Sequence, residues 1–504
     1  MKRVAVALVA VLTACARHPK PDATDATEIR IHLPAEPPHL NPLLSSDFLV
    51  TQVALGDVYE PLFTLDAHGA IVPVLAERVD AAPDGSSFTF TLRQGVRFHD
   101  GHALTADDVV YTLRLLAPGG APTVLAADFD DLRAVTAIDA RTVRLELGGF
   151  RLGRLESLAL VPVLPAHIFA ASAPADLLSA AATRVPVGTG PYAYAAWTPG
   201  REIVLARAAT WRGPRPAAAR IVYRVVADRA QALAQLDSGD VHLVLQVASA
   251  QLADAAADPR LRLAPYDFPY YLGARWSCRP GPLADARVRR ALTMLLDRDT
   301  IVRTIQNGRG RVASAPWEPD DAASDPTVKP WPFDPDAARA LLAEAGAANL
   351  HTTLLVPAGS VTLGRVATIW QADARRAGVT LDVIEDPAVM DRARAGSFEG
   401  FAFGWTTGPE QDLFHHFHSP PAGSDNYGGC SDPEVDRLTD AIRAEPRPAE
   451  RTALEHALHR RLHELEWLTL ISVDVRTAAA VKALTGVHPG AHGTPARDLV
   501  LGGL

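Results

Sequence analysis

Two separate strand–helix–strand series constrain this chain more than any other feature. The first runs over 220–246, as "RIVYRVV", "DRAQALAQLDSGD" and "VHLVLQ". The second begins near 350 with "HTTLLVP", passes through a helical segment at 360–377, and continues with strands "VTLDVIE" and "FEGFAFGW". Helices that join apolar strands imply a sheet covered by those helices, so each series predicts an α/β unit. A chain of 504 residues is too long for one core, and two or three lobes are expected.

The region near 61–175 has a different rhythm. In "DGSSFTFTLRQGVRFHD" (84–100), Asp84-Gly85 supplies a turn, and Phe88, Phe90 and Leu92 fall on one face at period two, so two short strands are predicted. Thr105 to Asp108 forms a capping box with Asp in place of Glu, opening a helix with Val109, Leu113 and Leu116 on one face. Two more alternating strands follow over 133–147, so this stretch reads as a strand-rich lobe inserted beside two α/β lobes. Further strands are expected at 28–33 and 468–473, and helices at 432–443 and 447–466.

Lys2 and Arg3 precede one short apolar run, Val4 to Ala14, too short to cross a membrane, and then Cys15. The ending Leu12-Thr13-Ala14-Cys15 resembles a bacterial lipobox, which implies a signal peptide over 1–14, lipidation of Cys15 and a polar tether over 15–27. The expected location is extracytoplasmic, anchored to a lipid bilayer through the acylated N-terminus. A net charge of −9 without a Lys/Arg block argues against nucleic acid as a partner. Of the other cysteines, Cys278 and Cys430, an oxidising compartment permits a pair, but two free thiols is the expectation. Neither has neighbouring residues that would make a zinc site.

Catalytic motifs are absent: no G-x-S-x-G, no phosphate loop, no H-E-x-x-H. Gly188-Thr189-Gly190 has too few glycines for dinucleotide binding, and its flanking prolines fit a turn. His456, His459 and His463 share a helix face that also carries Arg460 and Arg461, which reads as a solvated face. The richer stretch is "GFAFGWTTGPEQDLFHHFHSP" (400–420). Asp412 and His416 stand four apart, the spacing of two ligands on a helix, and His415 and His418 adjoin them. Leu413, Phe414 and Phe417 interleave with them as in an amphipathic helix, which makes the four secondary candidates for a metal. By residue type Trp405 is favoured as a core side chain, with an aromatic wall of a cleft as the alternative.

Five segments, in order, carry a resemblance. They are "PVLAERVDAAPDGSSFTFTLRQGVRFHDGHALTADDVVYTL" (73–113), "PVGTGPYAYAAWTPGREIVLARAATWRG" (186–213), "GPLADARVRRALTMLLDRDTIV" (281–302), "FDPDAARALLAEAG" (333–346) and "GCSDPEVDRLTDAIRAE" (429–445). Together they resemble the extracytoplasmic solute-binding proteins of peptide- and nickel-type ABC importers, over residues from about 28 to the C-terminus. That resemblance implies an α/β, periplasmic-binding-protein-like fold in three lobes. Lobe I is built from 28–60, 176–265 and 478–504, the inserted lobe II is 61–175, and lobe III is 266–477.

It also implies a binding protein, not an enzyme, with no cofactor. The protein would capture a peptide or similar solute in an interlobe cleft and deliver it to an ABC permease. Carried onto this chain, the ligand-facing positions are Pro38, His39, Gly404, Trp405, Thr406, Thr407, Gly408, Asn426 and Tyr427. Peptide-binding members resemble a G-W-x-x-D-x-x-D-P pattern whose first Asp holds the peptide's ammonium group; that position is Gly408 here, with Glu410 or Asp412 as shifted substitutes. The family's Phe-Asn is Trp276-Ser277. A nickel or metallophore receptor is therefore the alternative, using Asp412, His415, His416 and His418. A hydrolase on the same scaffold is the remote one.

Overall fold

Strand β1 (Glu28–Leu33) ends at Pro34 in a loop that leads to α1 (Phe48–Ala54), capped by the Asp47 carboxylate. The computed structural model describes residues 27–45, 47–66, 70–406, 412–420, 425–490 and 493–502. Cys15, Thr407, Gly408 and Glu410 lie outside these residues. Next comes a strand-rich block: β2 (Ala76–Ala81), β3 (Ser87–Leu92), α2 (Ala106–Arg114), β4 (Ala134–Ala137), β5 (Thr142–Glu146) and the short α3 (Ala166–Phe169). The four strands form an antiparallel sheet in the order β2-β3-β5-β4. Phe88, Phe90 and Leu92 are buried together, as their period-two spacing predicts. Residues 93–100 do not make the second strand expected there; they form a turn with a single bridge, Arg97 to Ala103. The capping box is present, with the Thr105 amide donating to Asp108 Oδ2 at 2.9 Å.

The larger sheet collects β6 (Tyr192–Thr198), β7 (Glu202–Arg207), β8 (Arg220–Val225) and, after α4 (Arg229–Ser238), β9 (Leu243–Val244). A long strand, β10 (Leu261–Trp276), leads to β11 (His351–Pro357), α5 (Val361–Arg376), β12 (Thr380–Asp386) and β13 (Gly400–Thr406). The short α6 (Phe414–Phe417) and the helices α7 (Pro433–Ala444) and α8 (Pro448–Leu465) precede a second long strand, β14 (Leu468–Val481). The strand order is β12-β11-β13-β10-β14-β9-β1-β8-β7-β6, with a short strand, Gly310–Arg311, paired to β14. Within it β1 runs parallel to β8 and β9, and β11 runs parallel to β12 and β13. These are the two α/β series of the sequence.

β10 and β14 join them. They pair antiparallel over most of their length, with register shifts between Asp267 and Tyr271 and between Leu272 and Gly273. Buried apolar side chains divide near the same place. One cluster draws on residues 29–261 and 478–499; two others draw on 271–473.

The 186–213 segment shows why Gly188 and Gly190 are glycines. A Cβ on Gly188 would overlap the Val58 carbonyl oxygen, and one on Gly190 would overlap the Asp57 carbonyl. The chain bends at 189–191, between the two prolines, and the glycines are required there by close approach of two backbones, tied by Gly190 N–H to Val58 O at 2.9 Å. Thr189 Oγ1 donates to the buried Glu60, whose carboxylate also takes a bidentate pair from Arg212 at 2.7 and 2.9 Å. The motif is a structural clamp.

Two further expectations are overturned. Cys278 and Cys430 form a disulfide, with Cα atoms 4.9 Å apart across 152 residues of sequence. The expected compartment permitted the pair, but no local pattern pointed to it, because the strand end and the loop meet only in the folded sheet. The histidine face of α8 is packed, not solvated. His459 is buried, accepts the Asp325 amide at Nδ1 (3.0 Å) and bonds Ser314 Oγ through Nε2 (3.1 Å). His463 stacks on Trp331 with ring centroids 4.4 Å apart, and His456 bonds the Ala322 carbonyl at 2.9 Å. A segment distant in sequence, 314–331, covers that face.

Candidate ligand cleft

In open α/β sheets the crevice beyond the carboxyl ends of parallel strands is where backbone groups and loops are free to meet a ligand. Two sets of such ends exist here. After β1 comes the Pro34–Leu40 loop and after β9 comes Leu245-Gln246; in the other unit β13 ends at Trp405-Thr406.

The alternation in "GFAFGW" places two kinds of residue on opposite faces of β13. Ala402 joins the apolar cluster that holds Trp276 and Trp370, whereas Phe401 and Phe403 join the other, with Trp405 against it. The small face is needed for close packing. A Cβ on Gly400 would overlap the Trp276 ring, and one on Gly404 would overlap the Tyr270 hydroxyl. Thr406 is the last strand residue and pairs with Tyr270.

Trp405 is half-buried and carries its ring edge-on to His416, with centroids 4.6 Å apart. Burial, then the charge of Arg275, then His415, bring His416 down to about 3, so its imidazole is neutral. Arg275, itself buried, donates to the His416 carbonyl at 3.1 Å. Beside them Tyr427 donates its hydroxyl to Asp425 Oδ1 at 2.7 Å; burial first and this bond second push its phenol up to about 12. The result is an indole backed by a neutral imidazole, next to a carboxylate–phenol pair.

The other predicted positions have varied surroundings. Asn426 is buried and bonds the carbonyls of His418 (3.0 Å) and Cys430 (2.8 Å), so its amide braces the loop. His39 is buried, and its Nδ1 accepts the Asn41 amide at 3.2 Å, while Pro38 is exposed. Glu36 anchors their loop to Trp197 Nε1 (2.5 Å) and to the Gly200 amide (3.0 Å).

The four metal candidates meet different partners. Asp412 pairs with Arg443 at 2.8 Å, and His415 Nε2 lies 3.0 Å from the same guanidinium. His418 Nδ1 bonds the Ser419 carbonyl at 2.9 Å, and His416 faces Trp405.

Sequence reasoning missed one wall. Phe48, Gln52, Arg229, Gln246, Tyr266 and Arg476 help line a cavity of about 40 Å³ at the ends of β1 and β9. Arg476 lies 3.3 Å over the Phe268 ring centroid and 3.3 Å from Asp474, and Phe48 meets Phe268 edge-on at 5.5 Å. The available signal was the aromatic run "YDFPYY" (266–271) in the middle of β10.

Comparison with known proteins identifies the family and the fold. Residues 70–423 match the family described as bacterial extracellular solute-binding proteins, family 5. The heme-binding protein A of Haemophilus influenzae is 30% identical over 390 residues, covering 72% of this chain and 70% of that protein. The oligopeptide-binding protein AppA of Bacillus subtilis, solved with a nonapeptide, superposes with a TM-score of 0.82 at 23% identity, covering 95% of this chain and 100% of that one. NikZ of Campylobacter jejuni, solved with Ni(L-His), superposes with a TM-score of 0.81 at 22% identity, covering 94% and 99%.

Proposed function

Because this chain belongs to the family 5 bacterial extracellular solute-binding proteins, the binding proteins of ABC importers for peptides and related solutes, we propose that it captures a peptide or peptide-like solute in a cleft between two α/β lobes. Delivery to an ABC permease then follows from closure. Ligand contacts to both lobes favour the closed form, which gives the permease a shape distinct from the empty protein. A carrier must also release, so a Kd near ~1 μM, about −8 kcal/mol, suits the task.

The observation that carries this reading is the pair of strand ends, β1/β9 and β13, with Trp405 at one and the Arg476–Phe268 wall near the other. Lobe I is 28–60 with 176–265 and 478–504, lobe II is 61–175 and lobe III is 266–477. The division of the apolar clusters near 261–271 and 473–478 supports the bounds of lobe III, whereas lobes I and II share one apolar cluster. Free backbone groups at the end of β13 pair with an extended ligand as an added strand does. Pro38, His39, Gly404, Trp405, Thr406 and Tyr427 are the described residues assigned to this path, with Asn426 bracing it; Thr407 and Gly408, assigned with them from the sequence, lie outside the described residues. The lipobox ending in Cys15 supports anchoring to a bilayer by acyl chains, outside the cytoplasm. No nucleophile–base pattern in the sequence supports a hydrolase.

The test is native mass spectrometry of the purified protein, before and after exposure to a peptide mixture. Retained or acquired peptide mass is expected; no binding from the mixture, together with no thermal shift, removes the peptide assignment. NikZ favours a second reading, nickel or a metallophore held through His415, His416 and His418. Calorimetry on the triple alanine variant decides it, and unchanged nickel binding refutes it.

A further inference from the structure

Among the described residues one group brings three metal-ligating atoms within 4.8 Å of one another, and it lies far along the chain from the cleft histidines: Asp100, His102 and His167. Asp100 and His102 flank Gly101 in the tight turn after β3, where Gly101 N–H donates to the Phe98 carbonyl (2.9 Å) and Phe98 N–H to the His102 carbonyl (2.8 Å). Gly101 has φ +93°, a left-handed conformation that glycine adopts without strain. His167 comes from α3, 67 residues from Asp100. The fold therefore holds the turn and the helix in register before any ion arrives.

The ligand atoms converge on one oxygen. His167 Nε2 lies 2.7 Å from Asp100 Oδ2, and His102 Nδ1 lies 3.3 Å from the same atom. Partial burial pushes the Asp100 carboxyl up, but the bonds from His167 and His102 outweigh it and hold it below its usual range. The two imidazoles stack with centroids 3.9 Å apart. The third histidine of this region, His99, is excluded, because its ring nitrogens already serve Gly190 O (3.0 Å) and the Gly188 amide (3.2 Å). Arg97, the cation of the turn, gives Nη1–H to the Gly101 carbonyl at 2.8 Å.

A four-coordinate ion with bonds of about 2.0–2.1 Å holds its ligands roughly 3.3 Å apart. The His102–Asp100 edge already has that length, and the His167–Asp100 edge must open by roughly 0.6 Å. His102, 63% exposed at its side chain, is free to turn its ring.

We propose that Asp100, His102 and His167 form a binding site for a divalent transition metal on the strand-rich block, separate from the solute cleft. Two imidazoles beside a single carboxylate suit Zn²⁺, Ni²⁺ or Cu²⁺ over Ca²⁺ or Mg²⁺, which prefer all-oxygen shells. Ligation through His167 Nε2 requires the tautomer that carries its proton on Nδ1, and water completes the coordination shell. Because His99, in the same turn, is bonded to the 188–190 backbone, the ion sits where the strand-rich block is tied to the first α/β unit.

The test is calorimetric titration of the metal-stripped full chain with Zn²⁺ alone, beside thermal melting with and without the ion. One site is expected, with zinc raising the melting temperature. His102→Ala should weaken binding by about tenfold or more and remove the thermal shift. Its melting temperature without zinc should be unchanged, since that side chain is largely exposed. A His415→Ala/His418→Ala variant should bind zinc as the parent does. The proposal is overturned if the parent takes up no zinc, if His102→Ala and His167→Ala both bind as the parent does, or if uptake disappears with His415 and His418.

Discussion

Replacing both Cys278 and Cys430 by alanine should destabilise the protein substantially while leaving the loop at 425–430 near its native position. The two cysteines close a loop of 152 residues. Chain entropy for a loop of that length gives about 5 kcal/mol at 25 °C, an upper figure because residual structure in the unfolded chain reduces it. In the folded protein other bonds hold the same junction. The Cys278 amide donates to the Gly428 carbonyl at 2.9 Å, and Asn426 bonds both His418 and Cys430. The effect thus falls mostly on the unfolded state. Urea unfolding followed by tryptophan fluorescence is the assay, since Trp276, Trp370, Trp405 and Trp467 all lie in the same part of the chain. With a slope near the top of the range of about 1–3 kcal/mol/M, the midpoint should fall by roughly 1–2 M. Non-reducing peptide mapping should recover residues 278 and 430 as a linked pair. Reactive thiols at both positions in protein folded under oxidising conditions, or an unshifted midpoint in the double variant, would refute the reasoning.

Trp405→Ala should raise the Kd for a bound peptide roughly thirtyfold, a loss of about 2 kcal/mol for an aromatic wall, at nearly constant melting temperature; titration calorimetry showing equal affinity places Trp405 outside the ligand path. Gly188→Ala forces a Cβ into the Val58 carbonyl, backbone against backbone, and should cost about 1–3 kcal/mol or more. An unchanged thermal melt would show that this close approach is not required. Burial, the largest cause, brings His459 down to about 4. Its ordinary value is about 6.5, so the stability from its neutral ring is complete above that pH and is lost as pH falls through about 4. At pH 5 the loss is about 2 kcal/mol, and His459→Gln should flatten stability against pH between 4 and 6.5; parallel curves for parent and variant would contradict the assignment.

What was legible in the sequence was whatever local periodicity controls. Phe88, Phe90 and Leu92 on one face, the Thr105–Asp108 capping box and both α/β series follow from spacing alone, and each is present. The illegible features depend on partners distant in sequence. Nothing near His459 reveals that residues 314–325 will cover it, so a charged helix face read as solvated. Nothing near Cys278 points to Cys430. The glycines of 186–190 were noticed, but the reason for them, the backbone of 57–59, lies about 130 residues away. At the candidate cleft the sequence pointed to Trp405 and Tyr427 but not to Arg476, because residue type alone does not show that a mid-strand position lines a cavity.

That omission bears on how a receptor of this shape would work. Phe268 and Arg476 belong to β10 and β14, the strands that join the two α/β units, and they sit at or beside the register shift that starts at Asp267. The apolar clusters separate at the same level, with Leu261 in one and Tyr271 in another. A ladder whose register is interrupted between two cores twists more readily than one packed on both sides, because fewer buried contacts must break. If the ligand meets the Arg476–Phe268 stack, its binding energy acts on the segment of least resistance to lobe rotation, without transmission through either core. Arg476→Ala then becomes informative beyond affinity. It removes the cation over Phe268 and leaves both clusters intact, so it should loosen the joint as well as weaken binding. Hydrogen exchange of the amides at 267–271 and 473–476 should speed up even without ligand. Unchanged exchange there, with weaker binding, would make Arg476 a contact residue only and move the hinge elsewhere.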